Sequence, residues 1–471
     1  MIVIVISCHC PKRAHPCKNG NSVDSRYRWI LALAAASMML LLPAQAVAET
    51  QSQNNASTLR SLETDLDVGP REESATSESI KAEPTGESCT STPPDSPERH
   101  AGVAETCTAV LPFTAQSSNS AKDARTATAA AAGSVCTITD PGYWHFERLS
   151  YCLREMTVNF TLRGEQQQVL GTAILYVSSS ATLNPRSGEW SEEIMVEATQ
   201  YTQQVTSLNI AATALCTSTC KATDEHPWNG NWTLTDGQTA LGSVTYSDVP
   251  AVGVTDSSTV KYNLYITQPG TIPTLPNVNW SNPRVVRCDS ALTGGGNTST
   301  GCALPSITPQ LELSVSQYGA AAVTYGWAQW NLPNKWGLYS GSPMTRALDG
   351  DARRKFTCEE KSSVPFVAKP DDVVPSDSCD EFPFASTEQG GTDGGMCAEI
   401  VPLVEDDGKW RVYEADPSRP VTGTEPCVRG HVNLDQNKLA GTAYSNLIQN
   451  MRLIEKDPFY LTVPDYFDTV E

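Results

Sequence analysis

Cys379-Asp-Glu-Phe-Pro-Phe-Ala-Ser-Thr-Glu-Gln-Gly-Gly391 gathers three carboxylates, Asp380, Glu381 and Glu388, around a short apolar run. Pro383 breaks that run and Gly390–Gly391 closes it, so the stretch reads as a half-buried strand ending in a turn. Adjacent acids beside a half-buried strand suit a cation site or a general base, because crowding and lost hydration change how readily they hold protons. Taken alone, the same pattern also describes a surface strand with a glycine turn, and the rest of the chain has to decide between the two.

Working outward, Asp351-Ala-Arg-Arg354 heads a polar, helix-compatible stretch that ends near Cys358. After the Gly turn, Met396–Val404 reads as a second strand, and an acidic, irregular insertion follows from Glu405 to about His431. Tyr444, Leu447, Ile448 and Met451 then fall at helical spacing, with Asn437 near the start of that helix and Phe459–Val463 as a closing strand. The order is strand, strand, helix, with acids on the first strand and an amide at the head of the helix. A hard cation such as Mg²⁺ takes few protein oxygens and several waters, which one carboxylate and one Asn oxygen satisfy. Phosphodiester hydrolysis at such a site needs a base to activate water and positive charge against the leaving phosphate.

The chain has 471 residues, enough for two or three domains. Its 39% hydrophobic and 7% aromatic content is low for a wholly folded protein, so part of it is expected to be disordered. A net charge of -20 favours solubility and argues against a basic surface that coats nucleic acid. Of the fifteen cysteines, Cys8, Cys10 and Cys17 precede an apolar run at Trp29–Leu42. That run follows Arg26-Tyr-Arg28 and leads to Ala46-Val47-Ala48, the layout of a cleaved secretory signal, which puts the start of the mature chain near Glu49. Residues 1–48 are therefore upstream sequence and signal peptide, the product is extracellular, and no stable membrane association remains after cleavage. The residues before Arg26 fit no signal pattern, and one explanation is a translation start at Val23.

The other twelve cysteines are an even, scattered set and read as a disulfide framework. Residues 49–132, rich in Ser, Thr, Glu, Ala and Pro, read as a disordered spacer in which Cys89 and Cys107 close one loop. Residues 133–320 are β-rich and imply an antiparallel β-sandwich, clipped by Cys136–Cys152, Cys216–Cys220 and Cys288–Cys302 paired by proximity. Cys216-Thr-Ser-Thr-Cys220 is read as a small disulfide loop, since no second zinc half-site follows. Trp144, Trp228 and Trp232 are weighed as a sugar platform against ordinary packing, with cell wall or glycan as the partner; His145 and His226 are read as structural. Residues 321–344, rich in Ala, Gly and Trp, read as a linker, and residues 345–471 form the last domain, with Cys358, Cys379, Cys397 and Cys427 as further disulfide candidates.

Asp380–Gly391 resembles the signature of the NucA/NucB family of secreted deoxyribonucleases, which in small members runs Asp-Glu-Trp-Pro-Met-Ala, two variable residues, then Glu-Glu-Gly-Gly. The actinobacterial form, Cys-Asp-Glu-Tyr-Pro-Phe-Ala-Ser-Thr, is matched at every position except Phe382. Arg353-Arg354 resembles the family's upstream basic pair, Asn437 the Asn that opens its metal-binding helix, and Arg452–Phe459 its Arg-Val-Leu-Asp-Gly-Asp-Pro-Phe ending. Ala440-Gly441 stands where the family has Gln-Gly. The similarity spans about residues 345–465 and leaves the sandwich and spacer outside.

The resemblance implies an α+β domain of the ββα-metal type behind the sandwich. It makes Asp380 the base that deprotonates water, with Glu381 beside it as a catalytic or ligand candidate. Asn437 and Glu388 become metal-ligand candidates for Mg²⁺ or Mn²⁺, and Arg353, Arg354 and Arg452 candidates for phosphate contacts. His431 matches no motif position. The expected activity is metal-dependent endonucleolytic hydrolysis of DNA without strong sequence preference. The alternatives are a secreted β-rich wall- or glycan-binding protein with a degenerate nuclease tail, and a nuclease toxin acting on rival cells.

Overall fold

Glu189-Trp-Ser-Glu-Glu-Ile-Met-Val-Glu-Ala-Thr199 shows why the first half of the chain is sheet. Alternation turns Trp190, Glu192, Ile194, Val196 and Ala198 inward, and all five are buried. The computed structural model describes residues 60–62, 76–112, 135–269, 275–294 and 297–471, so the secretory segment lies outside the described residues. The chain divides into two units, residues 1–54 and 55–471, and every described residue belongs to the second.

The nine-stranded sheet runs Ser77–Lys81, Tyr143–Glu147, Ser150–Arg163, Val169–Thr182, Glu189–Thr199, Gln238–Ser247 and Lys221–Ala222 side by side. Ser88–Ser91 and Glu105–Leu111 pair with each other, and the second of them joins Ser150–Arg163. A four-stranded sheet of Trp232–Leu234, Leu208–Cys216, Val260–Thr267 and Val278–Ser281 shares its core. Phe146, Leu153, Phe160 and Val196 of the larger sheet lie in one apolar cluster with Ile210, Tyr262 and Ile266 of the smaller, an antiparallel sandwich. A three-stranded sheet, Thr255–Ser258, Val286–Gly294 and Asn297–Ala303, adjoins them. Cys136–Cys152, Cys216–Cys220 and Cys288–Cys302 are bonded here. Trp144 and Trp228 are buried in the core and Trp232 is exposed, so the three tryptophans form no open platform.

Two corrections concern regions that composition hides. Residues 76–112 fall in the expected spacer, yet they supply three strands of the large sheet. The Cys89–Cys107 bond staples the second of these to the third, and Cys107–Val110 is buried against Ser150–Arg163. A Ser/Thr-rich strand suffices there because only one short run has to be covered. Farther along, the segment from Glu405 to His431 contains two strands, Trp410–Glu414 and most of Val428–Asn433. Arg60–Leu62 lies along the first of these, with Leu62 N donating to Val412 O at 2.8 Å.

Val428–Asn433 is the strand that pairs antiparallel with the motif strand, Asp377–Phe382, placing Gly430 opposite Asp380. Ala398–Val404, expected beside the motif, runs parallel to Val428–Asn433 on its other side, with Trp410–Glu414 at the edge. Val428–Asn433 leads directly into the long helix, Leu434–Asn450, whose cap Asn433 accepts a hydrogen bond from Asp435 N at 2.9 Å. Pro458–Thr462 pairs with Gln310–Glu312 and Met344–Thr345 and does not close the motif sheet.

The expected linker holds the central helix of this half, Ala320–Asn331. Ala320 to Gln329 are all buried, because Ala, Gly, Val and Trp make the helix apolar on every side. Gly326 lets it press on Tyr466, where a Cβ would meet the ring at 2.3 Å. Around it cluster Ile400, Val428 and Val432 of the sheet and Ala440 and Tyr444 of the long helix.

A charged clamp joins this half to the sandwich. Arg148 and Arg287 of the sandwich each reach Asp457 at 2.7 Å, and Arg452 binds both oxygens of Asp289 at 2.7 and 3.0 Å. Arg452 is wholly buried, so its expected phosphate contact is corrected: this guanidinium faces a carboxylate and the carbonyls of Pro185 and Ser299. Buried charges of this kind are tolerated only when each is paired and hydrogen-bonded. Asp289→Ala strands Arg452, and the expected cost is roughly 3–5 kcal/mol, read as a fall in the urea unfolding midpoint of the whole chain.

Candidate active site

The motif strand carries Asp380 and Glu381, and the Cys358–Cys379 bond ties its middle to the end of a short helix, Gly350–Thr357. That bond holds Arg354 over the acids. The long helix brings Asn437, Ala440, Gly441 and Tyr444, and the buried helix brings Tyr325. With Phe384, Ala385 and Ser386 from the turn after Pro383, these residues line a cleft of about 140 Å³.

Both acids on its floor are 5% exposed. Burial, and secondarily the charge of Glu381, pushes the Asp380 carboxyl up to about 8, against the opposing pull of Tyr325 and Arg354. Burial also raises Glu381, opposed by Arg354 at 3.7 Å. The Tyr325 hydroxyl donates to Asp380 Oδ2 at 2.8 Å, and burial together with that carboxylate holds its own proton well above the usual tyrosine range. Tyr325 therefore stays a donor. Its ring is fixed between Phe382 and Phe384, with centroids at 5.7 and 5.0 Å.

Asn437 donates through Nδ2 to Cys379 O at 3.0 Å and to Ser378 Oγ at 3.1 Å. Only the amide NH₂ can donate to a carbonyl, so the orientation is set and Oδ1 is the atom left to accept or to ligate. Asp380, Glu381 and Asn437 all line the cleft, and carboxylate and amide oxygens are of the kind that a hard divalent cation takes. Cys358 Sγ lies 3.3 Å from Glu381 Oε2, but a disulfide sulfur has neither a proton to donate nor a thiolate to ligate.

Other candidates do not reach the cleft. Glu388 pairs with Arg353 at 3.0 Å, and Arg353 also binds Asp349 at 2.6 Å and the carbonyls of Glu388 and Gly390. The pair fastens the Gly turn to the short helix, and neither residue lines the cleft. Among the three arginines, Arg354 alone does so. His431 is buried elsewhere in the sheet, with Nδ1 2.6 Å from Asp377 Oδ2 and Nε2 3.3 Å from Glu399 Oε1. Tyr325 carried no sequence signal, since a helix that is apolar all round shows no face.

Residues 338–409 match the model of the family Deoxyribonuclease NucA/NucB. The match supports membership of that family for this segment. The match holds Arg354, Asp380 and Glu381, whereas Tyr325 precedes it and Asn437 follows it. No curated protein matches the chain. The cleft is thus built around acids of the matched segment, with partners from outside it.

The polar network around His431 sets an acid limit on stability. Burial works to raise Glu399, but the hydrogen bond from His431 and the charge of Arg429, 2.5 Å away, hold its carboxyl at about 2, below its ordinary 4.5. A carboxylate depressed by folding stabilises fully above its unfolded value and loses that contribution as pH falls through the folded one. The difference in thermal midpoint between the native chain and Glu399→Gln is expected to shrink steadily as pH drops from about 5 to about 2.

Proposed function

We propose that the chain is a secreted, metal-dependent endonuclease that hydrolyses phosphodiester bonds of extracellular DNA without strong sequence preference. The observation that carries this reading is the buried Asp380–Glu381 pair on the cleft floor, with Arg354 and Asn437 beside it. The succession of motif strand, Val428–Asn433 and long helix supports a ββα-metal nuclease core.

Asp380 acts as the base. Tyr325 occupies Oδ2, so Oδ1 receives the proton of the attacking water, and an affinity near 8 suits a proton acceptor working close to neutrality. As the new P–O bond forms, the bond to the leaving sugar oxygen breaks, and that oxygen takes a proton from solvent. Arg354 offsets charge on the phosphate. Mg²⁺ or Mn²⁺ held by Asn437 and Glu381 supplies further positive charge against the phosphate when bound.

Weak sequence preference is the expectation for a cleft whose one cationic side chain, Arg354, is directed at phosphate, because phosphate contacts carry no sequence information. Six disulfides among the described residues support an oxidising, extracellular setting. No helix among those residues is long and apolar enough to cross a membrane. The net charge of -20 opposes long-range capture of a polyanion, so binding without metal is expected to be weak and salt-sensitive.

Asp380→Asn preserves shape, and plasmid degradation is expected to fall by about 10²-fold or more without loss of folding. Tyr325→Phe should cost roughly tenfold, while Glu388→Gln leaves the rate near that of the native chain. Excess chelator should abolish cleavage. Full activity of Asp380→Asn, or in chelator, would contradict the assignment.

A further inference from the structure

We propose that the sandwich carries a Ca²⁺ site of its own, formed by Asp248, Asp256 and Thr219 and independent of the nuclease cleft. Three separate segments bring these residues together. The loop closed by Cys216–Cys220 carries Ser218 and Thr219, Asp248 follows the Gln238–Ser247 strand, and Asp256 lies on Thr255–Ser258.

Proton counting shows that the cluster is incomplete. Thr219 Oγ1 lies 2.8 Å from Asp248 Oδ1 and 2.9 Å from Asp256 Oδ2. One hydroxyl has one proton, so it donates to one carboxylate and turns a lone pair toward the other. Asp256 has further donors in Ser218 Oγ at 2.5 Å and Thr219 N at 3.2 Å. Asp248 has no such relief: the residue is 2% exposed, and no protein donor reaches its enclosed Oδ2. The charged neighbour of Asp248 is Asp256, another acid. A buried carboxylate facing a second carboxylate without a cation is costly.

The available atoms are carboxylate and hydroxyl oxygens, the ligands of a hard cation. They come from a disulfide loop, a strand end and a second strand, and a set gathered from separate segments suits Ca²⁺, with its 6–8 flexible oxygen ligands, better than Mg²⁺, which demands near-ideal octahedral geometry. Ser218 and Thr219 are exposed, so the cluster is open to solvent and water can complete the coordination. Few protein ligands imply weak binding, about 10⁻⁴–10⁻³ M, in the range of extracellular modules. Asp248 and Asp256 flank a segment with exposed Val249, Val252 and Val254, so a bound ion would pin both ends of that loop.

The test is the thermal midpoint of the full chain, freed of metal and titrated with CaCl₂ or MgCl₂ to about 10 mM. Native protein and Asp380→Asn should both gain a few degrees with Ca²⁺ and less with Mg²⁺. Asp256→Asn should lose the gain, and Thr219→Val serves the same purpose should Asp256→Asn fail to fold. Ca²⁺ should also slow proteolysis of the 249–254 loop in the native chain. The proposal is overturned by an absent Ca²⁺ response, by equal responses in native and Thr219→Val protein, or by loss of the response in Asp380→Asn. Stabilisation by acid alone would likewise overturn it, because a shared proton would then bridge the acids.

Discussion

Asp380 and Glu381 sit next to each other on one strand with almost no contact with water. Such a pair is unfavourable unless the surrounding protein supplies donors and positive charge. Here the supply comes from two helices, through the Tyr325 hydroxyl and the Arg354 guanidinium, while a third helix ties Asn437 to the backbone of the motif strand. Each helix is placed by a different force. The one with Tyr325 is driven inward by its apolar surface, the one with Arg354 is tied by a disulfide, and the one with Asn437 grows directly from the strand beside the motif. The long helix is then anchored at its far end, where Arg452 and Asp457 meet charges from the sandwich. The sandwich therefore helps fix the position of the site without contributing a residue to the cleft.

The family match and the site do not have the same extent. Residues 338–409 include the acids and Arg354, whereas the donor that fixes Asp380 and the amide beside it come from either side. A carboxylate shifted this far needs that enclosure, because exposure would return its proton affinity toward the ordinary range. The strand motif is the portable part of the site, and its environment depends on the rest of the chain.

Much of this could be read in the sequence where the signal was local. The motif Cys379–Gly391, the helix spacing of Tyr444, Leu447 and Met451, and the alternating strands of the sandwich all carry their own periodicity or punctuation. What escaped had its cause elsewhere in the chain. Ala320–Asn331 resembles a linker because a helix buried all round loses its polar face. Arg452 looked like a phosphate contact because its partner, Asp289, lies in the sandwich, far away in sequence. Glu388 and Arg353 both looked functional, and each is occupied by the other. Residues 76–112 have the composition of a spacer but gain order from a disulfide and a neighbouring strand.

The account rests on the claim that the acids at 380 and 381 and the amide at 437 face one cation-binding cleft. A crystal of the protein soaked in Mn²⁺, with anomalous diffraction recorded at a wavelength where manganese scatters, locates the ion directly. The account predicts a peak among Asp380, Glu381 and Asn437, next to Arg354. A peak at Glu388, or a cleft without manganese when the ion restores activity after chelation, would contradict it.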